Sequence, residues 1–326
     1  MNLRKYLTPE VIAGGMAAVL AALAVAAREQ NGQEEPRPTP NTDPVPWTPP
    51  AGELEGMGVS VRTLNHTKNL PGSDRFDGPA LARWCEQNNV RFVELLACWV
   101  NADGTSKRYL PRDETKAVVA DLKAAGVRVG LWGWPDPIND QLYIDRMSEA
   151  LDIVGDGGWF KHDPEGPYHG AGFRTKINGK WVKVKRPLSM RRESAERLMA
   201  WSTATAPTDV TSYGSGPKSH PSFTWKEWAN GARYGRPQWY DRDSDWSANK
   251  VASFAEQWRT LFPVVCPILS AVNSNTPDMM LDEANRFLPV ADGPCFSYWD
   301  FYWLSISAKR TAAARVNGAR YGGAQA

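Results

Sequence analysis

Apolar, strand-like runs alternate with amphipathic helical patterns along the chain from about residue 56 onward. The strand-like runs lie at Met57–Thr63, Arg91–Trp99, Val127–Trp134, Gly158–Asp163, Asp209–Tyr213, Arg236–Tyr240, Val264–Leu269 and Cys295–Trp299. Helical patterns lie at Pro79–Asn88, Glu114–Ala125, Ile138–Val154, Leu188–Ala204, Ser244–Leu261, Thr276–Leu288 and Ser307–Val316. Eight strands alternating with helices over about 250 residues predict a (β/α)8 barrel. A doubly wound open sheet is the alternative, but no glycine-rich phosphate-binding turn follows the first strand.

One insertion interrupts the alternation after the fourth predicted strand. The dipeptide Asn178-Gly179 stands between two runs of alternating residues within Phe173–Val184. Asn-Gly readily adopts the left-handed backbone of a tight hairpin turn. The sequence therefore predicts a basic β-hairpin over the mouth of the barrel.

The N-terminal part of the chain differs in composition from the rest. Residues 1–30 contain an uncharged, Ala-rich stretch, Val11–Ala27, which is preceded by two basic residues. Such a segment is typical of a membrane anchor whose N-terminus stays in the cytoplasm, with a cleaved signal peptide or a soluble Ala-rich helix as alternatives. Residues 31–55 are rich in proline and predict a semi-rigid spacer. We therefore expect residues 56–326 to form a barrel domain outside the cytoplasm, either tethered or secreted.

The fourth strand-like run leads into a loop that carries two carboxylates. Gly158–Tyr168 begins as an apolar run, and its two prolines exclude a helix. Residues two apart share one face of a strand, so Lys161, Asp163 and Glu165 should project together at the strand's C-terminal end. Active sites of (β/α)8 barrels lie at that end of the strands. An ordinary acidic turn is the alternative, because Asp, Pro and Gly are common in turns.

Aromatic and polar side chains recur where the other predicted strands end. The chain contains 15 Trp, more than a core of this size needs, and large rigid rings are suited to stacking on sugars. We predict a glycan-binding cleft whose substrate-binding residues are Trp99, Trp132, Trp134, Lys161, Tyr213, Trp239, Trp299 and Asp300. Further rim positions are Arg62, Asn65, His66, Asn101, Asp136 and Trp303. Packing between barrel and helices is the alternative role for Trp132, Trp239 and Trp299.

Charge and cysteine content argue against several other classes of protein. The 38 basic and 36 acidic residues leave a formal net charge of +2 without a long basic run, so we expect no nucleic acid partner. Cys85, Cys98, Cys266 and Cys295 lie far apart, and neither they nor the four histidines show metal-ligand spacing. We therefore expect no metal and no cofactor. Buried free thiols are predicted, with a disulfide as the alternative in an exported domain.

Short motifs at the strand ends resemble those of two glycosidase families with barrel folds, the family 18 chitinases and the family 25 lysozymes. Asp163-x-Glu165 is similar to their acidic motif, and Tyr240-Asp241 is similar to the Tyr-Asp of the chitinase pattern. Trp299 stands where those enzymes place a tryptophan beneath the sugar. The resemblance implies that Glu165 donates a proton and that Asp163 orients the substrate's N-acetyl group. It also implies that Tyr240 hydrogen-bonds to that group, with Asp241 in the same catalytic set.

Two departures separate this chain from the family patterns. Lys161 stands where the chitinase motif has a further acidic residue, and Gly58–Arg62 lacks the Asp that the lysozyme pattern has on its first strand. A lysine beside Glu165 would favour the ionised carboxylate and weaken it as a general acid. We expect an exported or membrane-tethered glycoside hydrolase that cleaves an N-acetylated glycan such as peptidoglycan or chitin. A catalytically inactive glycan-binding barrel and a structural protein of an envelope or virion are the alternatives.

Overall fold

Eight parallel strands close into a barrel in the computed structural model, which describes residues 54–62, 77–107, 112–177, 179–240, 246–271, 276–299, 304 and 307–321. The strands in chain order are β1 (Gly56–Val61), β2 (Val90–Val100), β3 (Ser106–Lys107), β4 (Arg128–Trp134), β5 (Phe160–His162), β6 (Phe173–Ile177), β7 (Lys180–Val184), β8 (Thr208–Tyr213), β9 (Tyr234–Trp239), β10 (Ile268–Ser270) and β11 (Cys295–Trp299). Strand β1 pairs with both β2 and β11, which closes the sheet, and only β3, β6 and β7 lie outside the ring. The predicted (β/α)8 barrel is confirmed.

Helices follow the barrel strands and cover the outside of the sheet. In chain order they are α1 (Gly78–Gln87), α2 (Arg112–Ala124), α3 (Asp140–Val154), α4 (Leu188–Thr205), α5 (Gly216–Ser219), α6 (Trp225–Ala229), α7 (Ala248–Arg259), α8 (Pro277–Phe287) and α9 (Ser307–Tyr321). Side-chain caps fix helix starts: the Asp77 carboxylate accepts from the N–H of Ala80, and the Thr276 hydroxyl accepts from the N–H of Met279. The seven predicted helices are found. Helices α5 and α6 are additional, and they are too short to show a helical period in the sequence.

The lowest layer of the barrel interior, at the N-terminal ends of the strands, is apolar. Phe92, Trp159, Cys266 and Cys295 are fully buried there in one cluster. Two glycines make room for the large rings. A Cβ on Gly58 would lie 2.0 Å from the Phe92 ring, and a Cβ on Gly130 would lie 2.1 Å from the Trp159 ring. All four cysteines are buried and free, as predicted.

The middle layer of the interior is charged, and we call Ser60, Glu94, Lys161, Asp209 and Arg236 the interior charge cluster. All five residues are fully buried. The ammonium of Lys161 donates to the Glu94 carboxylate and to Ser60 Oγ, 2.6 Å away. Arg236 donates to the other oxygen of Glu94 at 2.6 Å and lies 3.5 Å from the Asp209 carboxylate. Every carboxylate of this layer is therefore next to a cation.

Strands β6 and β7 form the predicted hairpin after the fourth barrel strand. They pair antiparallel with Phe173 opposite Val184 and Ile177 opposite Lys180. Gly179 has a φ of 76°, the left-handed backbone that the turn requires, while Asn178 lies outside the described residues. The insertion is thus a separate two-stranded sheet attached to the barrel.

The predicted N-terminal segment and most of the proline-rich spacer lie outside the described residues. Among the helices that are described, none combines the length and the apolar character needed to cross a bilayer. The membrane anchor predicted for residues 1–30 stays a prediction.

Candidate active site

Two carboxylates, Asp163 and Glu165, lie at the C-terminal end of β5, and we call them the mouth pair. The backbone continues the strand here, because the N–H of Asp163 donates to the carbonyl of Gly133 at 2.8 Å. Asp163 is only 3% exposed and Glu165 only 9%. Acidic turns on a protein surface are open to water, so this burial is unusual for carboxylates. The mouth pair is not an ordinary acidic turn.

Asp163 has surroundings that favour its protonated form. Burial and then the nearby charge of Glu165 raise the pKa of Asp163 well above its usual range. The charge of Lys161 and a 2.8 Å hydrogen bond from the Gln238 side-chain amide oppose this shift without cancelling it. A carboxyl group with a raised pKa beside a second carboxylate is the arrangement that enzymes use to hold a proton for acid catalysis.

The loop that carries Glu165 is fixed from several sides. Ser212 Oγ donates to the carbonyl of Pro164 at 2.7 Å, and the N–H of Tyr168 donates to the carbonyl of Glu165 at 2.9 Å. Tyr168 is fully buried, its hydroxyl is 2.7 Å from Ser194 Oγ, and Arg191 donates to its carbonyl at 2.8 Å. These bonds hold the Glu165 backbone in one position, which is what a pre-organised catalytic group needs.

Tyr213 lies beside the mouth pair, as predicted for the fifth barrel strand. Burial and then the charges of Glu165 and Asp163 raise the pKa of Tyr213 well above its usual value. The phenol therefore keeps its proton at neutral pH and acts as a hydrogen-bond donor. Its ring stacks on His220, with centroids 4.1 Å apart, and meets His169 edge-on at 5.8 Å.

Sequence reasoning missed three residues near the mouth pair. Gln238 points inward on β9 two residues after Arg236, a signal that the strand period contains. His169 lies in the connection between β5 and β6, and His220 directly follows α5, so neither stands at a predicted strand end and neither was predicted as a site residue. Burial lowers the pKa of His220 to about 4, with the neighbouring His169 adding to the effect, so that this imidazole is neutral at neutral pH.

Lys161 does not line the substrate cleft, which corrects the prediction made for it. Its side chain points into the barrel below Asp163 and is fully buried against Glu94 and Ser60. At Asp163 the charge of Lys161 lowers the pKa, but it ranks below burial and Glu165, which raise it. The weakening predicted at Glu165 stays a prediction.

The predicted tryptophans divide between the mouth and the core. Trp99 and Trp134 are half-buried and stack in parallel at 4.5 Å, and half-buried Trp299 meets Trp132 edge-on at 4.6 Å. Trp132 itself is fully buried and donates to the carbonyl of Val61 at 3.2 Å, so it supports Trp299 from below. These rings form the aromatic part of the mouth.

Trp239 does not belong to the mouth, which corrects a second predicted residue. It is fully buried, donates to the carbonyl of Gly214 at 3.2 Å and packs edge-on against Phe287 of α8. This is the packing role that the sequence left open. Tyr240 follows it and is half-buried at the end of β9. The remaining predicted rim residues that lie outside the described residues are Asn65, His66, Asp241, Asp300 and Trp303.

Asp136 has a structural role, because it forms an ion pair with Arg186. Its carboxylate accepts two bonds from Arg186, at 2.8 and 3.1 Å, and one from the N–H of Ile138 at 3.1 Å. Within the described part of the chain no cluster of three or more His, Cys, Asp or Glu side chains has the geometry to hold a metal ion.

Comparisons with known proteins identify the fold. No family profile matches the chain, and no curated protein matches its sequence. A chitinase from Bacteroides thetaiotaomicron superposes with a TM-score of 0.55 at 10% sequence identity, over 83% of this chain and 99% of that one. A glycoside hydrolase family 5 enzyme from Prevotella bryantii B14 gives 0.51 at 13% identity, over 80% and 96%. A xylanase and amylase inhibitor protein gives 0.50 at 11% identity, over 81% and 100%.

These likenesses define a class of fold. At such low identities they show the barrel alone, and the barrel is shared by glycoside hydrolases and by an inhibitor protein. The function has to be argued from the site.

Proposed function

We propose that this protein is a glycoside hydrolase that cleaves an N-acetylated glycan. The observation that carries the proposal is the mouth pair, two buried carboxyl groups at the catalytic end of a (β/α)8 barrel, one of which has a raised pKa. Glycoside hydrolysis needs a proton donor for the leaving oxygen and a second group that stabilises the oxocarbenium-like transition state. The mouth pair supplies both kinds of group.

Glu165 is the proton donor in this proposal. It lies two residues beyond Asp163, whose pKa is raised by burial and by the charge of Glu165, so that Asp163 is a source from which Glu165 can receive the proton that it donates. The proton moves to the glycosidic oxygen as the bond from that oxygen to C1 breaks. Glu165 then accepts a proton from the water that completes hydrolysis, which restores the starting state.

Asp163 orients the substrate's own N-acetyl group. Both carboxyl groups come from the short segment that follows β5, so they approach the substrate from the same side. This placement favours a mechanism in which the acetamido oxygen attacks C1 as the leaving group departs. Gln238 holds Asp163 in position, and the phenol of Tyr213 is available to donate to the acetamido oxygen.

An inactive glycan-binding barrel is the second candidate. The observation that favours it is the inhibitor protein, which shares this fold. A binding protein of this kind would use the half-buried rings of Trp99, Trp134 and Trp299 without turning the substrate over.

Turnover and binding measured together separate the two candidates. We expect the wild-type protein to cleave purified peptidoglycan or chitin oligomers, and Glu165→Gln to lower the rate by about 10²–10⁴ while keeping affinity, because that is the usual contribution of a general acid. Glu196→Gln, on the exposed side of α4, is the matched control and should keep full activity. Binding without turnover by the wild type would leave the inactive barrel as the better account.

The membrane tether is a separate part of the proposal. The Ala-rich stretch of residues 1–30 supports an anchor that places the barrel outside the cytoplasm, where cell-wall glycans are found. Fractionation of cells that express the full chain, followed by protease treatment from outside, tests it. A barrel that stays in the cytosolic fraction would contradict it.

A further inference from the structure

The hairpin made of β6 and β7 has two different faces. Arg174 pairs with Lys183 and Lys176 pairs with Trp181, so these four side chains share one face, which we call the basic face. All four are exposed, and Trp181 is 39% exposed. The opposite face, which includes Phe173 and Val184, is half-buried. The hairpin thus presents its charged face to solvent.

The basic face carries a local excess of positive charge. No Asp or Glu occurs from Gly166 to Arg192, a segment that contains eight Lys and Arg residues in a chain whose formal net charge is +2. Within the described part of the chain, no salt bridge involves Arg174, Lys176 or Lys183. Lys176 Nζ lies 5.3 Å from the centre of the Trp181 ring, so a cation and an aromatic surface are presented together.

The hairpin is joined directly to the loop of the mouth pair. A Cβ on Gly166, the residue after Glu165, would lie 2.7 Å from Phe173 Cβ, so the first hairpin residue packs on the catalytic loop. At the other end, Arg186 donates to the Asp136 carboxylate and to the carbonyl of Ala102 at 2.8 Å. These contacts place the base of the hairpin at the mouth.

We infer that the basic face binds carboxylate groups of the glycan, so that the substrate is an acidic polysaccharide such as the glycan strand of peptidoglycan and not neutral chitin. The inference rests on the proposed function. Charge complementarity supports it, since three exposed cations next to the cleft would attract carboxylates carried by the same chain that enters the mouth. Trp181 offers a flat apolar surface on which a sugar ring can stack.

A polysaccharide fits this site better than a nucleic acid. A nucleic acid carries a phosphate at every nucleotide, and those charges would be repelled by the carboxylates at the mouth. An acidic glycan has neutral rings between its carboxylates, and a neutral ring can occupy the position next to Asp163 and Glu165.

Binding assays with the full chain test the inference. The Glu165→Gln background slows turnover so that binding can be measured. The probes are peptide-free peptidoglycan glycan strands and the same strands after amidation of their carboxyl groups. We expect the triple variant Arg174→Gln, Lys176→Gln, Lys183→Gln to bind the untreated strands roughly tenfold more weakly. Its affinity for the amidated strands should stay within about twofold of the parent. High salt should reduce the difference, because exposed charges are screened.

A second triple variant controls for net charge. Arg83→Gln, Lys116→Gln and Arg315→Gln remove three exposed cations from helices on the outside of the barrel, and this variant should bind like the parent. Equal losses in the two triple variants, or equal affinity of the wild type for untreated and amidated strands, would overturn the inference. Tighter binding of single-stranded DNA, lost in the hairpin variant, would overturn it in favour of a nucleic acid.

The inference and the proposed function fail in different ways. If the wild type cleaves neutral chitin oligomers and the hairpin variant binds acidic strands as well as its parent does, the inference is wrong and the proposed function stands. Carboxylate-dependent binding without cleavage of any glycan would remove the proposed function and leave the basic face as a binding site.

Discussion

Two sets of buried carboxylates lie in successive layers of the same barrel, and their surroundings shift the carboxyl pKa in opposite directions. In the interior charge cluster, burial would raise the pKa of Glu94, but Arg236 and Lys161 outweigh it and lower that pKa. In the mouth pair, Asp163 has Glu165 as its main charged neighbour, and its pKa is raised well above the usual range.

This difference distinguishes a carboxylate that is held ionised from one that is held protonated. A buried carboxylate next to cations stays ionised and holds strands together, although removing its partner is costly. A buried carboxylate next to another carboxylate keeps a proton that it can give away. Both sets of carboxylates are buried, so the sign of the neighbouring charge, and not burial, is what separates the proposed catalytic pair from the interior charge cluster.

The largest expected effect comes from breaking the interior charge cluster. Glu94→Gln leaves Lys161 and Arg236 buried without their carboxylate, and we expect a loss of about 3–5 kcal/mol in the free energy of unfolding. Chemical denaturation measures it. The exposed Glu86→Gln on α1 is the control and should change stability by less than about 0.5 kcal/mol. A similar small change for Glu94→Gln would show that the cluster is not what holds the interior together.

A smaller loss of stability is expected when the loop that holds Glu165 is loosened. Ser212→Ala removes the 2.7 Å bond to the carbonyl of Pro164 and leaves that carbonyl without this donor, at a cost of about 1–3 kcal/mol in stability. Turnover should fall as well, because Glu165 is less well fixed. Ser219→Ala, on exposed α5, should change neither quantity. Unchanged turnover in Ser212→Ala would mean that the loop is held by its other bonds.

The smallest expected change in stability is a gain instead of a loss. Asp163→Asn should make the protein more stable at neutral and alkaline pH while abolishing activity. In the unfolded chain this carboxyl titrates near about 3.9, whereas the folded protein keeps its proton to a higher pH. The folded state thus binds more protons, and wild-type stability falls as the pH rises between the two pKa values.

Thermal unfolding from pH 4 to pH 8 measures this effect. The difference between Asp163→Asn and wild type should grow in favour of the variant across that window, and the exposed Asp152→Asn should show no such trend. A variant that loses stability relative to the wild type as the pH rises would show that Asp163 is held ionised in the folded protein.

The sequence was sufficient to predict the barrel, and it predicted Asp163 and Glu165 near the end of the fourth barrel strand, because both predictions use the local periodicity of the chain. The catalytic role of the two carboxylates stays a prediction. The eight strands follow from apolar runs, and Asp163 and Glu165 follow from the two-residue alternation at the end of β5. Local periodicity did not predict the orientation of the Lys161 and Trp239 side chains. Lys161 shares the strand face of Asp163, but it lies two residues earlier and therefore deeper in the barrel. Its role depends on the contact with Glu94, which is 67 residues away in the chain.

Trp239 shows the same limit from the other face of a strand. Its predicted stacking role assumed that an aromatic residue at a strand end points to the mouth, yet the alternation on β9 sends Gln238 inward and Trp239 outward to Phe287. The positions of His169 and His220 beside Tyr213 were also not predicted, since the two residues come from different connections, β5 to β6 and β8 to β9, which only the tertiary fold brings together.

The central claim is that Asp163 holds a proton because it is buried and because Glu165 lies beside it, and direct titration of Asp163 tests that claim. Carbon-13 NMR of labelled carboxyl groups, with the Asp163 signal assigned by its absence in Asp163→Asn, gives the pKa in wild type and in Glu165→Gln. We predict a pKa well above the usual Asp range in the wild type and a clear decrease in Glu165→Gln, where the like charge is gone. A pKa in the usual Asp range in the wild type, or no change on removing the Glu165 charge, would contradict the account.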